Sequence, residues 1–552
     1  MSPSPARLPQ AWPGLSRSWS WSLSSPATPI APPLCGRSPG PCAPQQRRCA
    51  APICCAQPSA RRWSSTMPMR RTGSRWNTTA ASPIGKSSAG SKGPDTMLEC
   101  ISPVDGSVYA SRPTLPPDAA AAVAAHLKSA QAGWAARPLD ERAALVRAGV
   151  ARLGEMTDEV VPELAWMMGR PVRYGGEFGG VAERASYMAD IAAAALAPQV
   201  IEDSAAFNRR ILREPVGVVL VISPWNYPYL TAINTVVPAL TAGNTVMIKG
   251  STQTLLATER LVRAFHEAGV PEDVFQNVFL DHATTSALIA GRSFGFVNFT
   301  GSVAAGREIE RAAAGNFTAV GLELGGKDAG YVMADADPEA AAELLIDAAM
   351  FNSGQCCCGI ERIYVHHRHY DVFLSKARAL VEGYVLGSPL DPETTLGPMA
   401  HRRFADLVRS QTAEAIAQGA TGLIDRTRYA DDGGTYLAPQ VLTGVDHSMR
   451  VMREESFGPV VGVMPVASDD EAVALMNDSD FGLTAVLCTR DADRAAAVGA
   501  QLDVGTVFMN RADYLDPGLC WTGCKDTGRG AALSVLGYQA VTRPKSYHFR
   551  KA

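Results

Sequence analysis

Residues 216–223 read Val-Gly-Val-Val-Leu-Val-Ile-Ser, with no polar side chain before the last position. A strand with one wet face alternates apolar and polar residues. A continuous apolar run belongs to a sheet covered on both faces, typically a parallel sheet with crossover helices. The chain beyond it keeps that rhythm. A helix is expected over Pro228–Leu240, a turn at Gly243-Asn244, a second strand over Thr245–Lys249 and a helix over Thr254–Ala268. Val274–Leu280 and Gly295–Phe299 read as further strands. Strands alternating with helices imply a doubly wound α/β sheet, whose ligands bind at the carboxyl ends of the strands. Asn226, Lys249 and Thr300-Gly301-Ser302 all fall at such ends.

Upstream the composition changes sharply. Residues 1–96 carry twelve Arg or Lys against one acid, Asp95, so a chain of net charge −3 divides into a +11 segment and a −14 body. The same segment holds five of the twelve Cys, five of the nine Trp and sixteen of the 38 Pro. It shows no periodicity, and such a sequence buries too little apolar surface to offset chain entropy. It is expected to be a disordered tail. A transit peptide, a basic nucleic-acid-binding arm and a misassigned start competing with Met97 are the readings of it, the last preferred. The acidic body offers no field to attract nucleic acid. No apolar run approaches the ~18 residues of a membrane-spanning helix. Seven cysteines without a disulfide-like spacing point to a reducing, cytoplasmic setting.

From Met97, a turn around Pro103, Asp105 and Gly106 precedes a helix starting at Pro116-Pro117-Asp118, with Asp118 as its expected cap. Helical patterns follow at Leu139–Leu153, Asp158–Met168 and Gly180–Ala197, with Trp134 and Trp166 as core anchors. Residues 205–216 read as an extended arm, and Tyr538–Phe549 as a final extended segment.

Three stretches carry chemistry. Gly301-Ser302-Val303-Ala304-Ala305-Gly306 opens a helix directly after a strand, where backbone N–H groups favour phosphate, although a plain tight turn looks the same. Leu322-Glu323-Leu324-Gly325-Gly326 places one acid among leucines; burial would raise its pKa towards that of a general base, and the alternative is a strand-end Glu facing water. Gly354-Gln355-Cys356-Cys357-Cys358 follows a predicted helix, Pro338–Phe351. It reads as a buried thiol cluster, a metal site or one activated thiol with two neighbours; consecutive cysteines lack the separation of a tetrahedral metal set.

Pro224-Trp225-Asn226, Thr300-Gly301-Ser302, Glu323-Leu324-Gly325-Gly326-Lys327, Gly354-Gln355-Cys356-Cys357 and Glu455-Ser456-Phe457-Gly458-Pro459 stand in the order found in the aldehyde dehydrogenase superfamily, which the chain resembles over nearly all of residues 97–552. The resemblance implies a Rossmann-like NAD(P) domain (97–323, with an oligomerisation arm near 200–216), an α/β catalytic domain (324–530) and a small β oligomerisation segment (531–552). It makes Cys357 the nucleophile, Glu323 the base that activates water and Asn226 the side-chain half of an oxyanion hole. The cofactor contacts it implies are Ser223, Pro224, Trp225, Lys249, Ser251, Thr252, Gly301, Ser302, Glu455 and Phe457. No metal is implied. The expected reaction oxidises an aldehyde to its acid with NAD or NADP, in a homodimer or homotetramer.

Two departures bear on specificity. After Lys249 relatives often have Pro-Ser-Glu, whose carboxylate would hold the ribose hydroxyls; Gly250-Ser251-Thr252 lacks it, which makes room for a 2′-phosphate. The usual Pro-Phe-Gly-Gly near the substrate entrance is replaced by Cys520-Trp521-Thr522-Gly523. Trp521 and Tyr227 are expected as aromatic walls, Thr231 and Asn234 as part of a wide or polar passage, and Arg511 as an exposed residue or an anion contact. A CoA-acylating enzyme and a non-catalytic structural homologue are the competing readings; Glu323 favours hydrolysis over the first.

Overall fold

The computed structural model describes residues 96–551; the segment 1–95, with every expectation attached to it, and Ala552 lie outside the described residues. A hairpin of β1 (Met97–Ile101) and β2 (Val108–Pro113) leads into four helices, α1 (Pro117–Ala136), α2 (Leu139–Glu155), α3 (Thr157–Met168) and α4 (Phe178–Ala195). Next come β3 (Gln199–Asp203) and β4 (Phe207–Pro215), the expected arm. The first large sheet then begins. Its strands β5 (Val218–Ile222), β6 (Thr245–Lys249), β7 (Phe275–Asn277), β8 (Phe296–Thr300) and β9 (Ala319–Glu323) run parallel in the order β9-β8-β5-β6-β7. Crossovers are made by α5 (Pro228–Thr241), α6 (Ala257–Glu267), α7 (His282–Ala290) and α8 (Val303–Ala313).

The apolar run in β5 is explained by its two faces. Val219 and Val221 enter a core with Ile233 and Val237 of α5, while Val218, Leu220 and Ile222 enter another with Ala124 and Leu127 of α1. Each such side chain contributes roughly 1.5–3 kcal/mol on burial, so neither face of the strand tolerates a polar residue. The chain builds outward from β5 through β6 and β7, then returns to β8 on the other side. That reversal opens a crevice beyond the carboxyl ends of β5 and β8.

Four residues, Leu324–Lys327, join β9 to the second sheet. It contains β10 (Asp328–Val332), β11 (Ile360–His366), β12 (Thr421–Gly422), β13 (Gln440–Thr443), β14 (Val460–Val466), β15 (Thr484–Cys488) and β16 (Thr506–Met509), with α9 (Pro338–Met350) crossing between β10 and β11. The order is β12-β13-β14-β11-β10-β15-β16, parallel except for β12. Near the C-terminus β17 (Gly528–Arg529) pairs antiparallel with β9, Gly528 opposite Glu323, so the 324–530 segment lends a strand to the sheet of the 97–323 segment. After α10 (Ser534–Ala540), β18 (Thr542–Arg550) pairs along its length with β4, and β3 lies on the other side of β4.

Several local expectations are corrected. Asp118 does not cap α1: the helix starts at Pro117, Pro116 occupies the cap position, and no side-chain cap bond forms. Proline at the first helical position has no N–H to satisfy, so Asp118 sits in the first turn, where its charge complements the helix dipole. Trp134 is a buried anchor, donating to the Leu240 carbonyl at 2.9 Å, but Trp166 is only half-buried and stacks on Tyr109. Tyr538 belongs to α10, not to the final strand; its hydroxyl donates to the buried Met188 carbonyl at 2.7 Å. The strand expected over Val274–Leu280 is confined to Phe275–Asn277, and the helix from Thr254 begins as a short 3-10 turn, Thr252–Thr254.

Candidate active site

The triple-cysteine stretch follows α9 through a tight reversal. Asn352 and Ser353 both adopt left-handed backbone conformations, φ 53° and 56°, and Gly354 follows at φ 70°. Such conformations cost non-glycine residues of order 1–3 kcal/mol each. Side-chain bonds hold them: Asn352 donates to the Gln355 carbonyl at 3.3 Å and Ser353 to the Gly397 carbonyl at 2.9 Å. At Gly354 a Cβ would lie 2.3 Å from the Gly458 backbone. The reversal leaves Cys356 and Cys358 buried and Cys357 partly open, on the wall of a cavity of about 710 Å³.

The three sulfurs lie within 4.8 Å of one another. At the level of atoms they are therefore close enough to share a soft cation, and sequence spacing alone is a weak argument against a metal. The bond to Cys357, together with burial, pushes Cys356 up to about 12, and Cys358 is also raised by its sulfur neighbours. Both approach Asp513 Oδ1, at 3.4 and 3.1 Å. Their thiols in turn hold Cys357 down to about 6 against the effect of burial.

Glu323, at the end of β9, lines the same cavity. Burial pushes its carboxyl up to about 7, opposed by the Thr300 hydroxyl, which donates to Oε2 at 3.2 Å. The two glycines after it permit a close approach. A Cβ on Gly326 would lie 2.4 Å from the Cys357 carbonyl, and one on Gly325 2.6 Å from the Glu455 carboxylate. Asn226 does not line the cavity; it is 5% exposed, and its Nδ2 donates to the Gln355 carbonyl at 3.3 Å, beside the cysteine turn.

A buried ion pair that sequence reasoning missed fixes this segment. Arg170 pairs with Glu177 at 2.7 Å, donates to the Asn226 carbonyl and lies 4.7 Å over the Tyr227 ring. Glu177 accepts from the Tyr229 and Leu230 amides at 3.1 and 2.8 Å, capping α5. Tyr227, Trp521, Thr231 and Asn234 line the cavity as expected; Arg184 and Asp513 line it too and were not anticipated. Arg511 lies away from it, its guanidinium stacked on Tyr514. An arginine in a helix or an aspartate in a loop gives no signal until the fold turns it inward.

The remaining predicted residues gather at the crevice beside β5, β6 and β8. The Ser223 amide donates to the Lys249 carbonyl at 3.0 Å and its hydroxyl to the Pro228 carbonyl at 2.9 Å, which sets the turn through Pro224. Lys249 is buried and makes no ion pair among the described residues; desolvation lowers its pKa, countered by Asp281. Ser251 caps the short turn that contains Thr252. Ser302 caps α8, and a Cβ on Gly301 would lie 2.6 Å from the Phe299 ring. Glu455 accepts from the Gly326 amide at 2.9 Å, and burial, with the charge of Glu361, pushes it up to about 8. Trp225 stacks on Phe404 at 5.3 Å and meets the edge of Phe457, itself left-handed at φ 52°. A second buried pair, Lys327 with Glu361 at 2.5 Å, holds the Ser456 and Phe457 amides, each 2.8 Å from Glu361. A buried ammonium, hydroxyls and a helix N-terminus could hold the phosphates of a dinucleotide.

Known proteins resemble this chain in sequence and fold. The chain is 34% identical over 456 residues to the NADP-dependent succinate-semialdehyde dehydrogenase of Deinococcus radiodurans, spanning 82% of this chain and 94% of that one. The structure of PnpE in complex with nicotinamide adenine dinucleotide superposes with a TM-score of 0.78 at 32% identity, covering 82% of this chain and 94% of that one. The NADP complex of a glyceraldehyde-3-phosphate dehydrogenase from Bacillus halodurans does so with a TM-score of 0.77 at 31% identity, covering 83% and 96%. Residues 90–547 match the aldehyde dehydrogenase family, and a cysteine turn and a raised carboxyl on one cavity agree with that match: the chain belongs to the aldehyde dehydrogenase family and is an oxidoreductase acting on aldehydes.

Proposed function

We propose that the chain oxidises an aldehyde to its carboxylic acid through a thioester on Cys357, which Glu323-activated water hydrolyses, with NAD or NADP as acceptor. The observation that carries this reading is the opposite displacement of two groups on one cavity, the Cys357 thiol down to about 6 and the Glu323 carboxyl up to about 7. At neutral pH the first is a thiolate and the second is divided between acid and base, as nucleophile and general base require. Attack of Cys357 on the carbonyl carbon gives a thiohemiacetal oxyanion. The Cys357 amide and Asn226 are its donors; removing one such donor typically costs ~3–4 kcal/mol of transition-state stabilisation. The Asn226 amide group rests on the Gln355 carbonyl through one N–H, outside the cavity lining, so its second serves the oxyanion only once it turns towards Cys357. The chemistry contributed by a bound NAD or NADP is acceptance of hydride, which leaves a thioester on Cys357. Glu323 then takes a proton from water, the hydroxide adds to the thioester, and the acid leaves as the Cys357 thiolate returns.

Lys249, Ser251 and Thr252 would hold the adenosine ribose, Gly301 and Ser302 the pyrophosphate, and Glu455 the nicotinamide ribose. Ser223, Pro224, Trp225 and Phe457 would frame the crevice. The absence of a carboxylate at Thr252 supports acceptance of NADP as well as NAD. The β18-β4-β3 sheet, with Val200, Ile201 and Phe549 exposed, supports a homodimer or homotetramer built through that sheet.

Formation of NAD(P)H over an aldehyde panel tests the reading. Cys357→Ala should abolish turnover, and unchanged turnover would refute the mechanism. Glu323→Gln should retain a burst of NAD(P)H and accumulate the thioester in a single turnover. Release of an acyl-CoA in place of the acid when CoA is added would identify the acylating alternative.

A further inference from the structure

Six charged or ionisable carboxyl and guanidinium groups face the cavity: Arg170, Glu177, Arg184, Glu323, Asp347 and Asp513. Arg170 and Glu177 neutralise each other. Burial pushes the Glu323 and Asp513 carboxyls up, while Asp347 is exposed to solvent. Arg184, on α4 and only 7% exposed, is the buried cation of the cavity that has no such partner. It makes no ion pair among the described residues, and both of its bonds use Nη1, to the Leu230 carbonyl at 3.2 Å and to Asn234 Oδ1 at 3.3 Å. Its Nε and Nη2 edge is the one that grips a carboxylate with two parallel bonds.

A second feature points the same way. Asn234 is 1% exposed and lines the cavity, yet its Nδ2 has no partner. Its Oδ1 already accepts from Arg184, so the amide orientation is set and the orphaned group is a donor. The buried Tyr227 hydroxyl, on the same cavity, also lacks a partner. A native interior rarely leaves such groups unpaired, and unpaired donors beside a guanidinium without an ion pair suit an anion.

We propose that Arg184 and Asn234 form a subsite for a carboxylate at the far end of the substrate, so that the preferred aldehydes are short semialdehydes of dicarboxylic acids. The linker is short because Arg184, Asn234, Glu323 and Cys357 line one cavity of about 710 Å³, within which the carboxylate and the reacting carbon must both fit. A single guanidinium with a neutral amide matches one negative charge better than the two of a phosphate ester. The substrate class rests on the dehydrogenase reading above; the anion subsite does not.

The test compares kcat/KM for 4-oxobutanoate and its uncharged amide in the full chain. The wild type should favour the acid by ~10-fold or more, the worth of a charged hydrogen bond. Arg184→Gln should erase that preference, mainly through KM, while Arg184→Lys keeps part of it. Asn234→Asp, which supplies Arg184 with an internal partner, should reverse it and guards against a misfolded Arg184→Gln. Equal use of acid and amide by the wild type, or an equal loss on both in Arg184→Gln, would overturn the proposal. Protection of Cys357 from iodoacetamide by succinate gives a readout without turnover. Protection that depends on Arg184 while no aldehyde is oxidised would keep the subsite and sink the dehydrogenase reading. Absence of protection, or equal protection by inorganic phosphate, would overturn the carboxylate subsite.

Discussion

At the scale of single residues, the site is a matter of where protons sit. Cys357 titrates near 6 because two thiols can donate to its sulfur, whereas Glu323 titrates near 7 because burial opposes its charge. The deacylation rate should therefore rise with pH through about 7 and then level, and pre-steady-state release of acid across pH 5–9 checks this. The same displacement bears on stability. Folded Glu323 keeps a proton that the unfolded chain releases above its ordinary 4.5, so stability declines as pH rises from there to about 7. Glu323→Gln lacks that decline. Its Tm should exceed the parent's by a margin that widens between pH 4.5 and 7 and is constant above, as scanning calorimetry at several pH values would show. A buried carboxyl more comfortable as an amide is what the proposed role of Glu323 would cost in stability.

Elements meet at the site through two buried ion pairs. Arg170, just past α3, and Glu177, just before α4, bind the Asn226 carbonyl and the first amides of α5. Their side chains are 4% and 2% exposed. Removing one partner strands a charge in the interior, a loss of about 3–5 kcal/mol. Glu177→Ala should therefore lower the urea midpoint by a corresponding amount and also reduce kcat by loosening Asn226. A variant with native stability would show that the pair does not carry this load. The strands and most helices were legible from periodicity, as β5, β6 and β8 show. The ends were less so: Pro116-Pro117 displaced Asp118 from the cap, and Tyr538 joined α10 because Met188 offered its hydroxyl an acceptor. Neither acceptor nor competitor is visible in a local window.

For the whole molecule, the sheet made of β18, β4 and β3 brings residues 542–550 onto residues 207–215, with every position of both strands paired. β3 leaves Val200 62% and Ile201 52% exposed at its outer side. An apolar sheet surface of this kind is a docking or aggregation liability unless covered. Light scattering should find a dimer or tetramer. Val200→Glu with Ile201→Glu should shift it towards monomer, and a wild-type monomer would refute assembly through this sheet. Seven free cysteines stand among the described residues, and no helix there is long and apolar enough to cross a membrane.

The linear sequence determined the parts that depend on chemical identity and short-range order: a doubly wound sheet from the run at β5, candidate ligand residues at strand ends, and, through a family resemblance carried by motif order, Cys357, Glu323 and Asn226 as the proposed reactive residues. Those signals are local, set by the period of a strand or by the rarity of a carboxylate among leucines. Tertiary structure decided what depends on distance between remote segments. It brought Cys357 and Glu323 onto one cavity, set Asn226 behind it on Gln355, paired Arg170 with Glu177, and left Arg184 inside without an ion pair among the described residues. Burial and the company of other charges set a pKa or a selectivity, and both are properties of the folded environment that no stretch of chain carries alone.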